Sequence, residues 1–448
     1  MNKNYVSKKC IGLFAALIIF VSAACFTSYA YDFKKDVRVG INHSTSALET
    51  VIVKNTDNTF IIDIEGYNSP FEFPANTLVL KVYDGNLNVK TLLDNNIVCA
   101  DTGVKIMLYP KNTNTGLTVN DQHYYGGFEF YADNNGKIAV INVINIDDYI
   151  KGVLPSEIYP SWHIEALKAA AVVSRTYGLK NAMASSHSSA GFDICSTTHC
   201  QMYEGTKKEN ANTNAAIEAT KGLVIVYNGA LATTPYHSST GGYTASAAEV
   251  WGGKRENYPY LTNVFNPYEN YRNVPNGKWH SVVIPENLLK FIPASYKDKL
   301  PGGNLTFEYD KSKIGYIDKM TVVDSVGNSV TMNTADKVRS FFGSLVKSAN
   351  FGIANSYIPS DTPTAGINVI SAAGEYQITG INGYEYITAN GVETTQGLTE
   401  VLVFDGSGYG HGVGMSQFGT RDLANAGFTY DEIISTYFPG TEIVSVNE

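Results

Sequence analysis

The chain has 448 residues, with 33 Lys and Arg against 42 Asp and Glu, so its formal net charge is −9. An acidic chain without a basic run is a poor ligand for nucleic acid, and we exclude that class of partner. The length exceeds the usual size of one hydrophobic core, so we expect two or three lobes.

The first 30 residues are typical of a secretory signal peptide. Lys3, Lys8 and Lys9 precede an uncharged apolar run from Ile11 to Phe26, and the small-residue site Ser28-Tyr29-Ala30 follows. The apolar run is short for a spanning helix, although an uncleaved membrane anchor is an alternative. We therefore predict an exported protein, with residues 1–30 as signal peptide or anchor.

Residues 31–148 are predicted to form a β-rich N-terminal lobe. Short runs with β-branched residues predict strands at Val37–Ile41, Thr59–Ile64 and Leu78–Val82. Asn135-Gly136 lies between two further strand candidates, Phe128–Ala132 and Ile138–Val143, and predicts a hairpin there.

The next segment, residues 149–253, contains the best candidate for a catalytic residue. Gly152 to Glu157 is predicted as a turn after a strand-like approach, and a helix from Ile164 to Met183 follows. A carboxyl held at such a junction can be partly desolvated, which raises its pKa toward general-acid values. Lys168 and Arg175 lie two turns apart on one helix face, where they could point at Glu157; an ordinary solvated face is the alternative.

Two later segments are typical of functional loops. After a predicted helix at Asn212–Thr220, Asn228-Gly229 predicts a second hairpin between strands at Leu223–Tyr227 and Ala230–Tyr236, which presents His237 to Gly242 at its far end. Gly406 to Gln417 contains five glycines around one His, a density that indicates tight turns or close backbone approach. A helix is expected from Phe418 to Ala426, and Ser360 to Gly366 is predicted as a linker.

A cysteine and histidine cluster is the second candidate site. His187, Cys195, His199 and Cys200 would supply two imidazoles and two thiolates, the donors of a closed tetrahedral zinc site with a structural role. Export also permits a Cys195–Cys200 disulfide, and free thiols are a third interpretation. With Cys99, three cysteines follow residue 30, too few for a disulfide framework.

The order and spacing of several segments resemble the stage II sporulation protein D family, also called SpoIID/LytB. The resemblance extends over roughly residues 37–445. The matching segments are Gly152–Glu157, Glu165–Ala169, Ser174–Tyr177, His199–Gly205, Ser239–Thr244, Trp251-Gly252, Gly408–Gly419 and Tyr437–Thr441.

The resemblance implies a lytic transglycosylase that cleaves the MurNAc–GlcNAc bond of peptidoglycan and leaves a 1,6-anhydro end. It implies Glu157 as the catalytic acid and supporting roles for Lys168 and Arg175. It also strengthens the zinc interpretation, because some family members bind zinc at this cluster. An ordinary glycoside hydrolase needs two carboxylates, whereas here the muramyl 6-hydroxyl is the nucleophile and one acid suffices.

The setting implied is sporulation-associated septal wall remodelling, in the cell wall or at the extracytoplasmic face of the membrane. The substrate would be glycan strands already stripped of stem peptides, and an amidase partner would act first. Two alternatives stay open: a non-catalytic peptidoglycan-binding enhancer of an N-acetylmuramoyl-L-alanine amidase, and a structural member of a wall-remodelling complex.

The remaining candidates are assigned to a glycan-binding groove. A Ser–His hydrolase is disfavoured because no nucleophile-elbow pattern and no orienting acid accompany these residues. The predicted groove residues are Tyr177, His237, Ser239, Thr240, Gly241, Gly242, Gly410, His411, Gly412, Ser416 and Gln417.

For the fold we predict an α+β architecture that is rich in β-sheet and has few helices, with its lobes around this groove. Residues 149–253, completed by 405–448, would form the catalytic core. Residues 254–404 would be an inserted lobe, because the motifs on both sides of it are needed in one site.

Overall fold

The computed structural model describes residues 36–67, 69–83, 86–91, 97–100, 104–184, 187–359, 367–371, 374–378, 385–388, 391–394 and 398–446. The predicted signal peptide or anchor, residues 1–30, and the predicted linker from Ser360 to Gly366 lie outside the described residues. Within these ranges the protein has a mixed α+β fold rich in strands, as predicted. No helix of the described ranges combines the length and apolar character that a bilayer crossing requires.

The three helices predicted at Ile164–Met183, Asn212–Thr220 and Phe418–Ala426 are confirmed to within one residue at each end. Five short 3₁₀ turns, at Ser44–Ser46, Ser188–Ala190, Arg255–Asn257, Tyr271–Asn273 and Gly343–Leu345, accompany them. The α-helices are α1 (Ile146–Glu157), α2 (Ile164–Ala184), α3 (Ala211–Ala219), α4 (Ala247–Trp251), α5 (Pro285–Leu288), α6 (Ala294–Lys297), α7 (Ala335–Phe342), α8 (Gln417–Asn425) and α9 (Tyr430–Tyr437).

Two large sheets form the N-terminal part. The seven-stranded sheet has the order Ile194–Cys195, Asp36–Asn42, Ile138–Asn145, Gly127–Ala132, Ile106–Pro110, Thr59–Ile64 and Phe71–Pro74. The six-stranded sheet has the order Gln122–Tyr124, Leu117–Val119, Thr50–Lys54, Thr77–Tyr83, Asn86–Thr91 and Ile97–Ala100. The predicted hairpin at Asn135-Gly136 is confirmed, since Gly127–Ala132 pairs antiparallel with Ile138–Asn145.

Smaller sheets follow along the chain. The three-stranded ones are Ala230–Leu231, Leu223–Tyr227 and Glu442–Ser445; Lys278–Val283, Leu398–Ser407 and Phe351–Pro359; and Thr306–Asp310, Lys319–Val323 and Ser329–Met332. The two-stranded ones are Tyr236–His237 with Met415–Ser416, Ile367–Ser371 with Gly374–Ile378, and Glu385–Thr388 with Gly391–Thr394.

The predicted turn from Gly152 to Glu157 is wrong, because these residues form the end of α1. Asn145 caps this helix through its side chain, which accepts a hydrogen bond from the amide of Asp147. The apolar residues that suggested a strand are buried at helical spacing instead. Proline cannot donate the amide hydrogen bond that a helix interior requires. Pro155 is tolerated because the helix ends two residues later, so the missing bond affects only its last turn.

Two clusters of buried apolar side chains stabilise the described chain. The larger one joins the two N-terminal sheets to α1, α2 and the C-terminal helices, through residues such as Phe128, Leu167 and Ile433. The smaller one lies between Trp279 and Phe404 and packs α7 against the strands around it. The proposed division at residues 31–148, 149–253, 254–404 and 405–448 stays a prediction.

Candidate active site

Strand pairing brings the two predicted functional loops together. Tyr236–His237 pairs in parallel with Met415–Ser416, and Ser239 forms an antiparallel bridge with Tyr409. This differs from the predicted hairpin, in which the strand from Ala230 would continue to Tyr236; only Ala230–Leu231 pairs across the Asn-Gly turn. The glycines permit the close approach, because a Cβ atom on Gly410 would lie 2.8 Å from that of His237.

Glu157 is held from two directions at the C-terminal end of α1. Its side-chain Oε1 accepts a hydrogen bond from the amide of Met202 at 3.4 Å. Its main-chain oxygen accepts one from Nε2 of Gln417 at 2.8 Å. These contacts join α1, the loop after the cysteine cluster and the start of α8 at one residue, through its carboxyl group and its main-chain oxygen.

Burial raises the pKa of Glu157 above the ordinary value, and hydrogen bonds from Met202, Tyr236 and Gln417 oppose this only in part. The end of a helix carries a partial negative charge, which also disfavours the ionised carboxylate. Glu157 therefore has the electrostatic environment expected of a general acid.

A cavity of about 380 Å³ opens beside Glu157. Among the described residues that line it, Glu157 is the only acid, and none is Lys or Arg. Its walls are mainly aromatic and small polar side chains, a composition that suits the ring of a sugar. The lining residues are Pro155, Ser156, Glu157, Ile158, Tyr159, Pro160, Trp162, Ser238, Pro275, Asn276, Tyr409, Gln417 and Phe418.

Of the predicted groove residues, Gln417 lines this cavity. The loop that begins at His237 contributes Ser238, which was not among the predicted residues. Successive side chains of an extended segment point to opposite sides. Ser238 therefore faces the cavity, whereas His237 and Ser239 are buried. Thr240 and Ser416 are also buried and lie outside the lining. These four side chains do not line this cavity, and their role in glycan binding stays a prediction.

The two predicted groove histidines form a buried pair. Their ring centres lie 5.6 Å apart, and the ring of His411 also lies 5.5 Å from that of Trp251. Burial lowers the pKa of His237 to about 3. Burial and the charge of Arg339 lower the pKa of His411 to about 4. Both rings are therefore neutral at neutral pH, and neither lines the cavity.

The other predicted groove residues are one tyrosine and four glycines. Gly241, Gly242, Gly410 and Gly412 all have positive φ angles, between 73° and 129°, which glycine adopts without strain. Tyr177 packs edge-to-face against Tyr236, whose hydroxyl accepts a hydrogen bond from Gln201. None of these residues lines the cavity, and their role in glycan binding stays a prediction.

Lys168 forms an ion pair with a carboxylate other than Glu157. Its Nζ lies 2.7 Å from Oε1 of Glu165 and 5.9 Å from the ring centre of Tyr430. Glu165 in turn accepts a hydrogen bond from the amide of Tyr430 at 2.9 Å. Lys168 therefore helps to attach α9 to α2, and the expected orientation toward Glu157 is corrected.

Arg175 is fully buried within the helical layer. Its Nε lies 2.7 Å from Oδ1 of Asp147, and its terminal amino groups donate to the carbonyl oxygens of Leu223 and Ile217. A buried guanidinium needs such partners, because an unpaired charge in the interior is costly. The side chain connects α1, α3 and a strand, so Arg175 neither points at Glu157 nor lies on a solvated face. The supporting role that the resemblance implies stays a prediction.

Several lining residues were missed in the sequence analysis. Tyr159 and Trp162 could have been found, because aromatic residues directly after a candidate acid are a signal for a sugar site. Pro275, Asn276 and Tyr409 lie far along the chain from Glu157, and local sequence patterns contain no signal that joins them to it.

The four predicted metal donors converge in the structure. The donor atoms of His187, Cys195, His199 and Cys200 lie within 4.8 Å of one another, and both thiols are free. The sulfur-to-nitrogen distances are 3.3 Å (Cys200 to His187), 3.6 Å (Cys195 to His199) and 3.5 Å (Cys200 to His199). A tetrahedral zinc site with ordinary bond lengths has edges of about 3.6 Å, so this donor set fits the metal.

The family model described as "Stage II sporulation protein" matches residues 134–227 of this chain. An uncharacterised protein of Brachyspira hyodysenteriae (strain ATCC 49526 / WA1) is 31% identical over 340 residues, which cover 75% of this chain and 76% of that protein. This chain belongs to the SpoIID family. The resemblance seen in the sequence is thereby confirmed.

Two relatives of the SpoIID chain come from Bacillus subtilis (strain 168). The protein called "Amidase enhancer" is 29% identical over 436 residues, which cover 93% of this chain and 54% of that protein, so the chain spans about half its length. "Stage II sporulation protein D" is 26% identical over 313 residues, which cover 67% of this chain and 74% of that protein.

The SpoIID match includes only part of the cavity. Residues 134–227 contain Glu157 and the four metal donors, whereas Ser238, Pro275, Tyr409 and Gln417 lie outside the matched range. Part of the cavity lining is therefore contributed by segments outside the matched range.

Proposed function

We propose that this SpoIID chain is an exported lytic transglycosylase that cleaves MurNAc–GlcNAc bonds of peptidoglycan and forms 1,6-anhydroMurNAc, in sporulation-associated septal wall remodelling. The observation that carries the proposal is the single carboxyl of Glu157 in an aromatic cavity, with a pKa raised by burial. A hydrolase would need a second carboxylate in this cavity.

The reaction needs one group that first donates and then accepts a proton. Protonated Glu157 would donate its proton to the glycosidic oxygen of the leaving GlcNAc as the bond to C1 of MurNAc breaks. The carboxylate would then take the proton of the muramyl 6-hydroxyl, whose oxygen bonds to C1. Glu157 ends the cycle protonated, and no water is consumed.

We also propose that His187, Cys195, His199 and Cys200 hold a structural zinc ion. Four protein donors leave no open coordination position, so the metal would cross-link the loop rather than take part in the reaction. The metal would also help to position Glu157, because the amide that donates to its side chain belongs to Met202, two residues after Cys200.

The decisive experiment is digestion of purified, peptide-free glycan strands by the protein without residues 1–30, with the products identified by mass spectrometry. Anhydro-ended fragments are expected from the wild type and not from Glu157→Gln, which keeps the shape but removes the titratable proton. Glu218→Gln, on an exposed side chain of α3, is the matched control and is expected to cleave normally. Reducing-end products from the wild type would instead indicate hydrolysis.

A second function is favoured by one observation, the similarity to the amidase enhancer over 93% of this chain. On this alternative the protein binds peptidoglycan in the cell wall and stimulates a partner amidase without cleaving glycan. Wild type and Glu157→Gln would then stimulate the amidase equally, and neither would release anhydro ends. In the transglycosylase proposal the same kind of amidase acts first and removes stem peptides.

A further inference from the structure

Three aromatic side chains form one edge of the Glu157 cavity, and we call Tyr159, Trp162 and Phe418 the aromatic rim. The ring centres lie 5.4 Å apart for Tyr159 and Trp162, and 5.2 Å apart for Trp162 and Phe418. Tyr159 is 56% exposed although it packs against the other two rings. An exposed, supported ring beside a catalytic acid is a surface on which the apolar face of a sugar can stack.

Arg421 lies over this rim. Its guanidinium carbon is 4.9 Å from the ring centre of Phe418 and 5.7 Å from that of Trp162. Its Nε is 2.7 Å from Oδ1 of Asp422, whose other oxygen accepts a hydrogen bond from the amide of Asn270. The side chain of Arg421 is thus held by stacking and by its ion pair with Asp422, and the hydrogen bond from Asn270 holds Asp422 in place.

None of the described residues accepts a hydrogen bond from the terminal amino groups of Arg421. Within the described part of the chain its one hydrogen bond is from Nε to Asp422, so the remaining donors have no protein partner. A guanidinium in this state presents a planar fork that matches a carboxylate in two parallel hydrogen bonds.

A second cation near the site has different partners. Lys208 lowers the pKa of Glu157 through its charge, but its Nζ is 2.7 Å from Oε2 of Glu204. Lysine is also a point charge without the planar fork. Of these two cations, Arg421 is the one suited to bind a carboxylate of the substrate.

We propose that Arg421 and the aromatic rim form the subsite for a muramoyl residue whose lactyl carboxylate is free. This rests on the proposed function, because it presumes a muramoyl glycan in the Glu157 cavity. The sugar face would stack on Tyr159, and the lactyl carboxylate would accept hydrogen bonds from both terminal amino groups of Arg421. A stem peptide converts that carboxylate into an amide, so Arg421 would select strands from which the peptide has been removed.

The test measures binding by calorimetry in a Glu157→Gln background, so that no ligand is turned over. Three ligands are compared: a peptide-free GlcNAc–MurNAc tetrasaccharide, the same tetrasaccharide with L-alanine on the lactyl groups, and chitotetraose, which has no lactyl group. Added substitutions are Arg421→Gln, Arg421→Lys and Tyr159→Ala. The matched control is Arg255→Gln, which removes an exposed hydrogen bond to Asn263 outside the cavity lining.

We expect Arg421→Gln to weaken binding of the peptide-free tetrasaccharide about tenfold, the size of one charge-assisted contact, and to leave chitotetraose unchanged. Arg421→Lys is expected to recover part of that loss, which also shows that the position tolerates substitution. Tyr159→Ala should weaken all three ligands, and Arg255→Gln none. The preference for free over amidated lactyl groups should disappear in Arg421→Gln.

Equal losses for the tetrasaccharide and chitotetraose, no loss for either, or no binding of any ligand would each overturn the subsite. The two proposals fail separately. Binding that depends on Arg421, in a protein whose wild type never cleaves, would remove the transglycosylase and keep the subsite. Cleavage that keeps its preference for peptide-free strands in Arg421→Gln would remove the subsite and keep the enzyme.

Discussion

The side-chain amide of Gln417 donates a 2.8 Å hydrogen bond to the main-chain oxygen of Glu157, across 260 positions of sequence. The last carbonyl oxygens of a helix lack intrahelical partners, so Gln417 supplies one that the end of α1 needs. The start of α8 is thereby attached to the residue that carries the proposed acid.

Removal of the hydrogen bond from Gln417 to Glu157 is expected to lower the rate of glycan cleavage strongly and the free energy of unfolding only slightly. Gln417→Ala should cost on the order of 1 kcal/mol in the free energy of unfolding, the usual size of one hydrogen bond. The rate of glycan cleavage should fall by a larger factor, because the carboxyl loses its positioning. Denaturant unfolding and cleavage rates check this, with Asn181→Ala as control, since that residue also donates an amide hydrogen bond to a carbonyl oxygen. If Gln417→Ala lowered the cleavage rate no more than Asn181→Ala does at the same loss of unfolding free energy, the prediction would be contradicted.

The cleavage rate is expected to depend on pH through Glu157. The general acid must be protonated, and burial raises the pKa of Glu157 above its ordinary value. The rate kcat/KM should therefore fall as pH rises through that raised pKa, on the alkaline side of the value for an exposed glutamate. A pH–rate profile on peptide-free strands measures it. A profile that falls at the ordinary glutamate pKa would show that burial does not act on the catalytic acid.

Glu269 should make the protein less stable as pH rises. Burial raises its pKa to about 7, so the folded state binds this proton more tightly than the unfolded chain does. The resulting stabilisation is complete below the unfolded pKa near 4.5 and is lost as pH rises to about 7, with a size of roughly 3 kcal/mol at most.

Glu269→Gln tests this, because the amide keeps an oxygen for the bond from the amide of Thr240 and cannot titrate. The difference in unfolding free energy between pH 5 and pH 7.5 should shrink in this variant. Glu218→Gln, at a side chain that is 62% exposed, should leave that difference as in the wild type. No change in Glu269→Gln would show that this carboxyl is already ionised in the folded protein at pH 5.

The cysteine and histidine cluster is expected to bind one zinc ion per chain. Cys195→Ser and Cys200→Ser should each abolish stoichiometric zinc and lower the thermal unfolding temperature, because the loop loses its cross-link. Elemental analysis and thermal unfolding with and without chelator measure this, and Cys99→Ser, outside the cluster, should retain the metal. Mass spectrometry that finds a Cys195–Cys200 disulfide in the protein as purified would replace zinc by the disulfide.

Arg175 and Lys168 are expected to act through stability. Arg175→Ala leaves Asp147 without its buried partner and should cost about 3–5 kcal/mol in the free energy of unfolding. Lys168→Ala breaks a partly buried pair with Glu165, whose side chains are 24% and 17% exposed, and should cost roughly 1 kcal/mol or less. At a temperature where both variants are folded, cleavage per folded molecule should stay near wild type. A large loss of kcat without a loss of stability would restore the catalytic roles that the resemblance implied.

The sequence by itself determined the local structure and the chemical groups available. The helical spacing of Ile164–Met183 and the Asn135-Gly136 turn are local patterns, and the structure confirms both. The candidate acid and the four metal donors were also evident, because residue type and order suffice to nominate them. Where local patterns competed, as for Gly152 and Pro155 within α1, capping and burial on the tertiary structure decided for a helix.

Only the tertiary structure decided which groups face one another. Ser238 lines the cavity in place of its neighbour His237 because a parallel pairing with Met415–Ser416 sets the orientation, and a shift of one residue would reverse it. Arg175 pairs with Asp147 because helix packing places that carboxylate against it. Such choices depend on packing between separate segments, which lie 28 positions apart for Asp147 and Arg175 and 178 apart for Ser238 and Ser416. The periodicity of any single segment does not identify its partner.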